Sequence, residues 1–315
     1  KKLIDASIEC GADFVKFQAF KADTLATHKA RKAPYQIVNT NNDINQHSML
    51  KELELNIDEH YQLRDYCKNK GIGFMSSPFD EKGVELIQDL GCEYLKIPSG
   101  ELTNFLILEK AASFKGKIIL STGMATLDEI GKALDVLLSI NKDKERISIL
   151  QCTTEYPAPI DSINLRAMKT IQKQFNVNVG LSDHSLGIEA SVAAVALGAS
   201  VIEKHITLDK NMVGPDHKAS LLPFEFKLLV DMVRNVEKAL GSGIKKPSKP
   251  ELKNISIARK SLVALKRIKI GEKFTKDNLT SKRPGDGISP MLYPKLLGLL
   301  STKDYEPDDL IMPFD

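Results

Sequence analysis

Two histidines, His184 and His205, close two successive runs of apolar and β-branched residues, 177–184 and 199–205, and a helical pattern follows each run. Neutral imidazoles at the ends of neighbouring strands can share one divalent ion. Histidine pairs also occur as plain structural residues, so the company they keep decides between the two readings. The other strand ends carry Lys16 and Gln18, then Lys96, Ser99, Glu101 and Asn104, then Ser121 and Thr122, then Thr154 and Tyr156, and then Ser182 and Asp183. Lysines, hydroxyls and backbone amides are the groups that hold a phosphate. A metal held by two histidines keeps positions open for water and substrate oxygens, and can therefore act as a Lewis acid. Lysine inside an otherwise apolar strand is unusual, which favours function for Lys16 and Lys96 over solvated strand-end charge. Plainer roles remain open for others. Glu101 could cap the helix after it, Tyr156 could pack in the core, and Asp183 could orient a neighbouring group. His217, in the segment Gly214-Pro215-Asp216-His217, reads as a surface-loop residue rather than a third ligand, and His28, His47 and His60 fall in loop or helix-surface contexts with no assigned role.

Positioning these groups on one rim requires parallel strands. Runs at 13–20, 73–77, 94–98, 117–122, 147–152, 177–182 and 200–206 read as strands, and amphipathic segments at 57–70, 81–90, 105–113, 127–139, 165–175, 187–197 and 224–240 read as helices. Continuous apolar strands separated by helices imply a parallel sheet covered on its outer face. The expected fold class is α/β, a TIM (β/α)8 barrel, whose active sites lie at the C-terminal ends of the strands. Seven units are visible where a barrel needs eight; the alternative is an open seven-stranded sheet. The chain opens inside a helical pattern that Gly11 ends. The expectation is that the first barrel strand is absent from this chain, leaving it poorly stable or poorly active because unclosed edges are exposed. After the barrel domain, 1–240, residues 241–254 are a Gly-, Lys- and Pro-rich linker, and 255–315 form a small irregular β module.

Composition excludes several classes. The 315 residues carry 44 basic against 41 acidic side chains, a net charge of +3 without a dominant basic block, so nucleic acid is not indicated. Cys10, Cys67, Cys92 and Cys152 form no CxxC pair and read as reduced thiols of a cytoplasmic protein. No apolar run reaches the length of a membrane span, and the charged start does not resemble a signal peptide.

The segments FVKFQAF, SSPFD, KIPSGE, ILSTGMAT, CTTEYPAP, GLSDHS, IEKHITLDK, GPDHKAS and KRPGDGISPM resemble, in order, the bacterial N-acetylneuraminate (sialic acid) synthases and their legionaminic and pseudaminic acid synthase relatives. The resemblance implies a TIM barrel followed by an antifreeze-like (SAF) domain. It implies condensation of phosphoenolpyruvate with an open-chain N-acetylated amino sugar, giving a 2-keto acid and phosphate by C–O cleavage, with a divalent metal: Mn2+ first, Mg2+ or Co2+ as alternatives. By motif position it makes His184 and His205 metal ligands. Lys96, Ser99, Thr154 and Ser182 match phosphoenolpyruvate-binding positions, Lys16 and Gln18 match further active-site positions, Glu101 is a candidate proton-transfer group, and Glu101, Lys16 and Lys96 are the catalytic candidates. Asn104, Tyr156 and Asp216 fall on the substrate-binding side. Arg283 is the motif residue of the small domain, which the resemblance places across a domain-swapped homodimer in the partner's site. The family's first strand, with its Glu-Ile-Gly-x-Asn-His-like motif, has no counterpart here.

N-acetylmannosamine is the expected acceptor, with a 2,4-diacetamido-6-deoxy sugar and a legionaminate product as the alternative; segments like Lys32-Ala33-Pro34-Tyr35-Gln36 occur in more than one branch. Other readings are an octulosonate- or heptulosonate-type synthase, which the C-terminal module disfavours; a Schiff-base aldolase using Lys96; and a non-catalytic carbohydrate- or ice-binding protein, which leaves the barrel unexplained.

Overall fold

The computed structural model describes residues 1–40 and 45–313, and the chain divides into two compact units, Lys1–Gly241 and Ser242–Asp315. In the first unit, helix α1 (Lys2–Cys10) leads into strand β1 (Phe14–Ala19); Gly11, at φ 80°, caps the helix in the left-handed conformation that the sequence implied. Three short helices follow, α2 (Ala22–Leu25), α3 (Pro34–Thr40) and α4 (Gln46–Leu53). From there strand and helix alternate: α5 (Ile57–Lys70), β2 (Gly73–Pro78), α6 (Glu81–Asp89), β3 (Tyr94–Ile97), α7 (Phe105–Ala112), β4 (Lys117–Ser121), α8 (Leu127–Leu137), β5 (Ile147–Cys152), α9 (Arg166–Phe175), β6 (Asn178–Asp183), α10 (Glu189–Ala196), β7 (Val201–Lys204) and α11 (Pro223–Leu240). The helix starts follow capping chemistry. At α5 the Asn56 side chain accepts from Glu59 N at 2.9 Å while the Glu59 carboxylate accepts from Asn56 N at 2.7 Å.

The strands form a curled parallel β/α arrangement of the TIM-barrel type, β1 paired with β2 and β3 through β7 paired in chain order. Its register sorts the side chains. Lys16 stands opposite Met75, Lys96 opposite Ile119, Ser121 opposite Leu150, Cys152 opposite Ser182, and Ser182 opposite Glu203. With a side-chain period of two, these residues share one face. Residues of the other face, among them Leu95, Ile97, Ile118, Leu120 and Ile149, are fully buried against the helices. Each such burial contributes about 1.5–3 kcal/mol. On the inner face Met75, Ile119 and Leu150 form a separate apolar plug, level with Lys16 and Lys96 in the register, and Ser77, Cys152, Ser182 and Glu203 lie beyond it toward the strand ends. Among the described residues β1 and β7 do not pair; a cavity of about 750 Å³ lies between them, reaching from Lys16 and His205 to Leu3 of α1 and Leu229 of α11.

Two sequence expectations are corrected. Pro34–Thr40 and Gln46–Leu53 are helices α3 and α4 where no helix was expected: they are about as short as α7 and α10 but lie outside the strand–helix alternation by which those helices were read. His47 and His60 are buried rather than on loop or helix surfaces, at 8% and 1% exposure. The second unit is built on an antiparallel pair, β8 (Ser261–Ala264) with β9 (Leu279–Lys282), around a core that includes Leu262, Phe274 and Tyr305.

Opposite each other in the register of β6 and β7 stand Asp183 and Lys204, both buried, with Nζ 2.9 Å from Oδ2. Asp183 also accepts from Ser185 N at 2.9 Å, Ser185 Oγ at 2.6 Å and Ser191 Oγ at 2.6 Å. Burial works against the Asp183 carboxylate, but Lys204 and the two serines outweigh it and hold the carboxyl below its usual range. Lys204→Met leaves that buried charge without its cation and should cost about 3–5 kcal/mol in denaturant unfolding. The double variant Asp183→Asn, Lys204→Met should cost less than Lys204→Met alone; an equal or larger loss would rule out the pair as the cause.

Candidate active site

The inner face ends in charge. Glu203 of β7 places Oε1 3.2 Å from Lys16 Nζ of β1 and Oε2 3.3 Å from Lys96 Nζ of β3. Burial would raise the Glu203 carboxyl, but Lys96 and Lys16 together hold it well below the usual carboxylate range. Burial lowers Lys96, with Glu203 opposing. Two ammonium groups against one carboxylate leave one positive charge with no protein partner in the trio. Around it, the Ser77, Ser121 and Thr154 hydroxyls are buried with no hydrogen-bond partner among the described residues. Buried polar groups are ordinarily satisfied, so an excess cation with three unused hydroxyls describes a seat for an anion.

The loops after β3, β4 and β5 meet over this seat. Ser99 Oγ accepts from Gly123 N at 2.9 Å. A Cβ on Gly123 would lie 2.0 Å from Thr154 Oγ1 and 2.9 Å from Ser99 Oγ, so this approach requires glycine. Cys152 Sγ lies 3.8 Å from His184 Nδ1 in the same layer.

His184 and His205 stand edge to face with ring centroids 5.4 Å apart. His184 Nδ1 donates to the Thr153 carbonyl at 2.8 Å, which fixes that tautomer and leaves the Nε2 lone pair facing Ser182 Oγ at 3.4 Å. Metal-binding histidines are held by this kind of outer hydrogen bond. Burial opposes charge on His184, although Cys152 and the Thr153 carbonyl raise its pKa on balance. Burial, reinforced by His184 and Lys16, drives His205 down to about 3, so it is a neutral imidazole at physiological pH. Asp216 Oδ2 lies 3.7 Å from His205 Nδ1, while its Oδ1 is buried without a hydrogen-bond partner. Among the described residues, the ligand atoms of His184, His205 and Asp216 do not all come within 4.8 Å of one another, so the donors that fit a divalent cation here are the two neighbouring imidazoles, with Asp216 beside His205 alone. His217 turns away to Thr207, Nδ1 to Oγ1 at 2.7 Å.

An aromatic column closes one side. Tyr156 stacks 4.1 Å from His184 and 5.1 Å from Tyr35, which precedes Gln36 on α3. Asn39 of the same helix donates to the Pro215 carbonyl at 2.6 Å, tying α3 to the loop that carries Asp216.

Of the residues singled out in the sequence, Lys16, Lys96, Ser99, Thr154, Tyr156, Ser182, His184, His205 and Asp216 are joined by these contacts, and Gln18 is exposed on the Lys16 face at the end of β1. Glu101 is buried just beyond β3 but bonds to Asn104 Nδ2 at 2.7 Å, and no hydrogen bond or ion pair links it to the lysines or histidines among the described residues. Arg283 belongs to the second unit, where its exposed side chain donates from Nε to the Ala258 carbonyl at 3.0 Å. Sequence reasoning missed Glu203, Ser77, Cys152 and Tyr35. Glu203 carried a usable signal: an acid in an apolar strand, two residues before His205, as unusual there as the lysines.

The NeuB family model matches residues 3–245, and an SAF domain matches residues 259–315. The chain is 54% identical over 311 residues to an N,N'-diacetyllegionaminic acid synthase of Campylobacter jejuni, covering 99% of this chain and 93% of that protein. It is 44% identical to an N,N'-diacetyllegionaminic acid synthase of Legionella pneumophila, covering 95% of this chain and 84% of that protein. The crystal structure of an N-acetylneuraminic acid (sialic acid) synthetase from Leptospira borgpetersenii, in complex with citrate, superposes with a TM-score of 0.69 at 31% identity, covering 81% of this chain and 83% of that one.

Glu101 yields a pH prediction. Burial raises its carboxyl above the ordinary value of 4.5, Asn104 opposing and Asp80 adding to the rise. A carboxyl raised by folding costs stability once both states are ionised and costs nothing when both are protonated. Glu101→Gln should therefore be more stable than the parent at pH 7, with the difference shrinking on acidification and gone below about pH 4.5. Urea melts at several pH values measure this; a pH-independent difference would refute it.

Proposed function

The chain belongs to the NeuB family, and on that premise we propose that it condenses phosphoenolpyruvate with an open-chain N-acetylated amino sugar to give a nonulosonic acid and phosphate. The carrying observation is the Lys16–Glu203–Lys96 trio, whose uncompensated positive charge lies among unused hydroxyls beside the two histidines. Phosphoenolpyruvate is a small polyanion suited to such a seat. Lys16 and Lys96 would hold its charge, with Thr154, Ser99 and Ser182 supplying hydroxyls, while Glu203 keeps the two ammonium groups apart and oriented. In the reaction C3 of phosphoenolpyruvate bonds to the aldehyde carbon, water adds at C2, and the C2–O bond breaks to release phosphate. His184 and His205, with Asp216 beside the latter, would hold a divalent ion, Mn2+ foremost, which when bound supplies Lewis-acid polarisation of the aldehyde. Tyr156 and Tyr35 would wall the sugar side. Glu101 is a proton-transfer candidate whose raised pKa suits that role.

The acceptor reading favours the 2,4-diacetamido sugar that leads to a legionaminic acid, because the 54% identity extends over 99% of this chain. N-acetylmannosamine, giving N-acetylneuraminate, is the second reading, supported by the likeness to the Leptospira synthetase. A cytoplasmic location fits four free cysteines and the absence, among the described residues, of a helix long and apolar enough to cross a membrane.

The first test is phosphate release from phosphoenolpyruvate with Mn2+, offering the two sugars in parallel with a chelated control. Release should require metal and be faster with the diacetamido sugar; faster release with N-acetylmannosamine would reverse the acceptor assignment, and no release with either would refute the reaction. Lys96→Met should lower kcat/KM about 10²–10³-fold, the scale of losing one stabilising group at a reacting anion.

The SAF domain is proposed to deliver Arg283 to the partner's site in a homodimer. Arg283→Ala and Lys96→Met would each be impaired, but mixing them under conditions of subunit exchange should restore about a quarter to a half of the parent activity if sites are shared between chains. Additive residual activities on mixing, with exchange verified, would refute the swap.

A further inference from the structure

Apart from the site just described, the first unit carries a second group of metal-capable side chains. Among the described residues, Asp23, His28 and His47 place one ligand atom each within 4.8 Å of one another. Asp23 lies on α2 and His47 on α4, so the group joins two helices that flank α3 in the chain. His47 Nε2 is 2.8 Å from Asp23 Oδ1, and the His28 ring is centred 4.0 Å from the His47 ring.

The His28 position is built, not incidental. Asn45 caps α4, its Oδ1 accepting from Ser48 N at 2.8 Å, and the same side chain donates from Nδ2 to the His28 carbonyl at 2.9 Å. Gln46 N donates to the Ala30 carbonyl at 3.2 Å, closing the turn from the other side. The first turn of α4 therefore holds an exposed imidazole over a buried one. A histidine pair serving only as an ion-pair partner for Asp23 gives no reason for the second ring.

We propose that Asp23, His28 and His47 bind a divalent transition-metal ion, of the class of Zn2+ or Ni2+, independently of His184 and His205. Two imidazoles and one carboxylate match the donor preference of these ions and leave a fourth position for water. Among the described residues, Lys51 is the lysine paired with Asp23, its Nζ 3.4 Å from Asp23 Oδ2. It has an alternative partner in Glu54, whose Oε1 lies 3.2 Å away, so an arriving ion can displace it without stranding its charge. The ion would staple α2, the turn after it and α4 together, and so fix the two ends of the segment that carries Tyr35 and Asn39.

The test is a Zn2+ titration by calorimetry, with Co2+ absorption as a spectroscopic check, on the full chain and on His28→Gln, His184→Gln and the double variant. His184→Gln should keep an equivalent of bound metal that the double variant loses or binds at least about tenfold more weakly, a range that removing even an outer partner of a metal site reaches. Zn2+ should raise the melting temperature of His184→Gln and not of the double variant. Lys51→Met should tighten binding, an effect a purely structural ion pair would not show. His28 is exposed, so its replacement leaves the core intact, and circular dichroism verifies the fold. Identical Zn2+ binding by His184→Gln and the double variant would overturn the proposal. The outcome is independent of whether His184 itself binds metal, which the comparison of the parent with His184→Gln reports separately.

Discussion

Two ammonium groups share one carboxylate inside a curled parallel sheet, and much of this molecule serves that arrangement. At separations near those of the Lys16–Glu203 and Lys96–Glu203 pairs, Coulomb attraction is on the order of 5 kcal/mol per pair at an effective dielectric of 20. Desolvation of each buried ion costs several kcal/mol. The trio therefore stands near balance, and its surplus positive charge is a standing penalty that an incoming anion relieves. A site of this kind binds by completing a charge set that folding leaves unfinished. On that reading the Ser77, Ser121 and Thr154 hydroxyls, buried without hydrogen-bond partners among the described residues, would find their partners on the ligand.

The apolar layer makes the charge tolerable. Met75, Ile119 and Leu150 plug the sheet interior one layer below Ser77, Ser121 and Cys152 on the same strands. One strand thus supplies packing and chemistry on a single face, two residues apart. The outer face is mainly aliphatic where helices cover it, interrupted at the ends of β6 and β7 by the Asp183–Lys204 pair. Stability and reactivity are separated by depth on the inner face and by side of the sheet elsewhere.

That division governed what could be read from the sequence. The seven parallel strands found among the described residues of the first unit, and the long helices between them, were legible, since aliphatic runs and amphipathic periods are local signals. Lys16 and Lys96 announced themselves as charges in apolar strands. Glu203 obeys the same rule, as an acid in an apolar strand two residues before His205. Tyr35 was illegible. Its contact with Tyr156 is between residues far apart in the chain and depends on α3, which lies outside the strand–helix alternation. Burial of His47 and His60 was likewise invisible, because it is set by neighbouring elements rather than by local pattern. The roles of Asp216 and Arg283 came from motif resemblance alone; the structure adds contacts for both but no chemistry for Arg283.

Two tripeptides show how packing and chemistry depend on each other. Ser182-Asp183-His184 and Glu203-Lys204-His205 each send two residues inward and one outward, as strand alternation dictates. The outward residues, Asp183 and Lys204, are register partners joined by a buried ion pair. The inward ones are Ser182, Glu203 and the two histidines. Shifting β6 against β7 by one residue would reverse the faces of the shifted strand, sending its histidine to the helix side and parting Asp183 from Lys204 across the sheet. The apolar contacts of the two strands tolerate small slips better than a buried charge pair does, since Val179, Leu181 and Ile202 are similar in size while Asp183 has one cation to meet. The outward pair therefore does what apolar packing could not: it fixes the register on which the 5.4 Å spacing of the histidine rings rests.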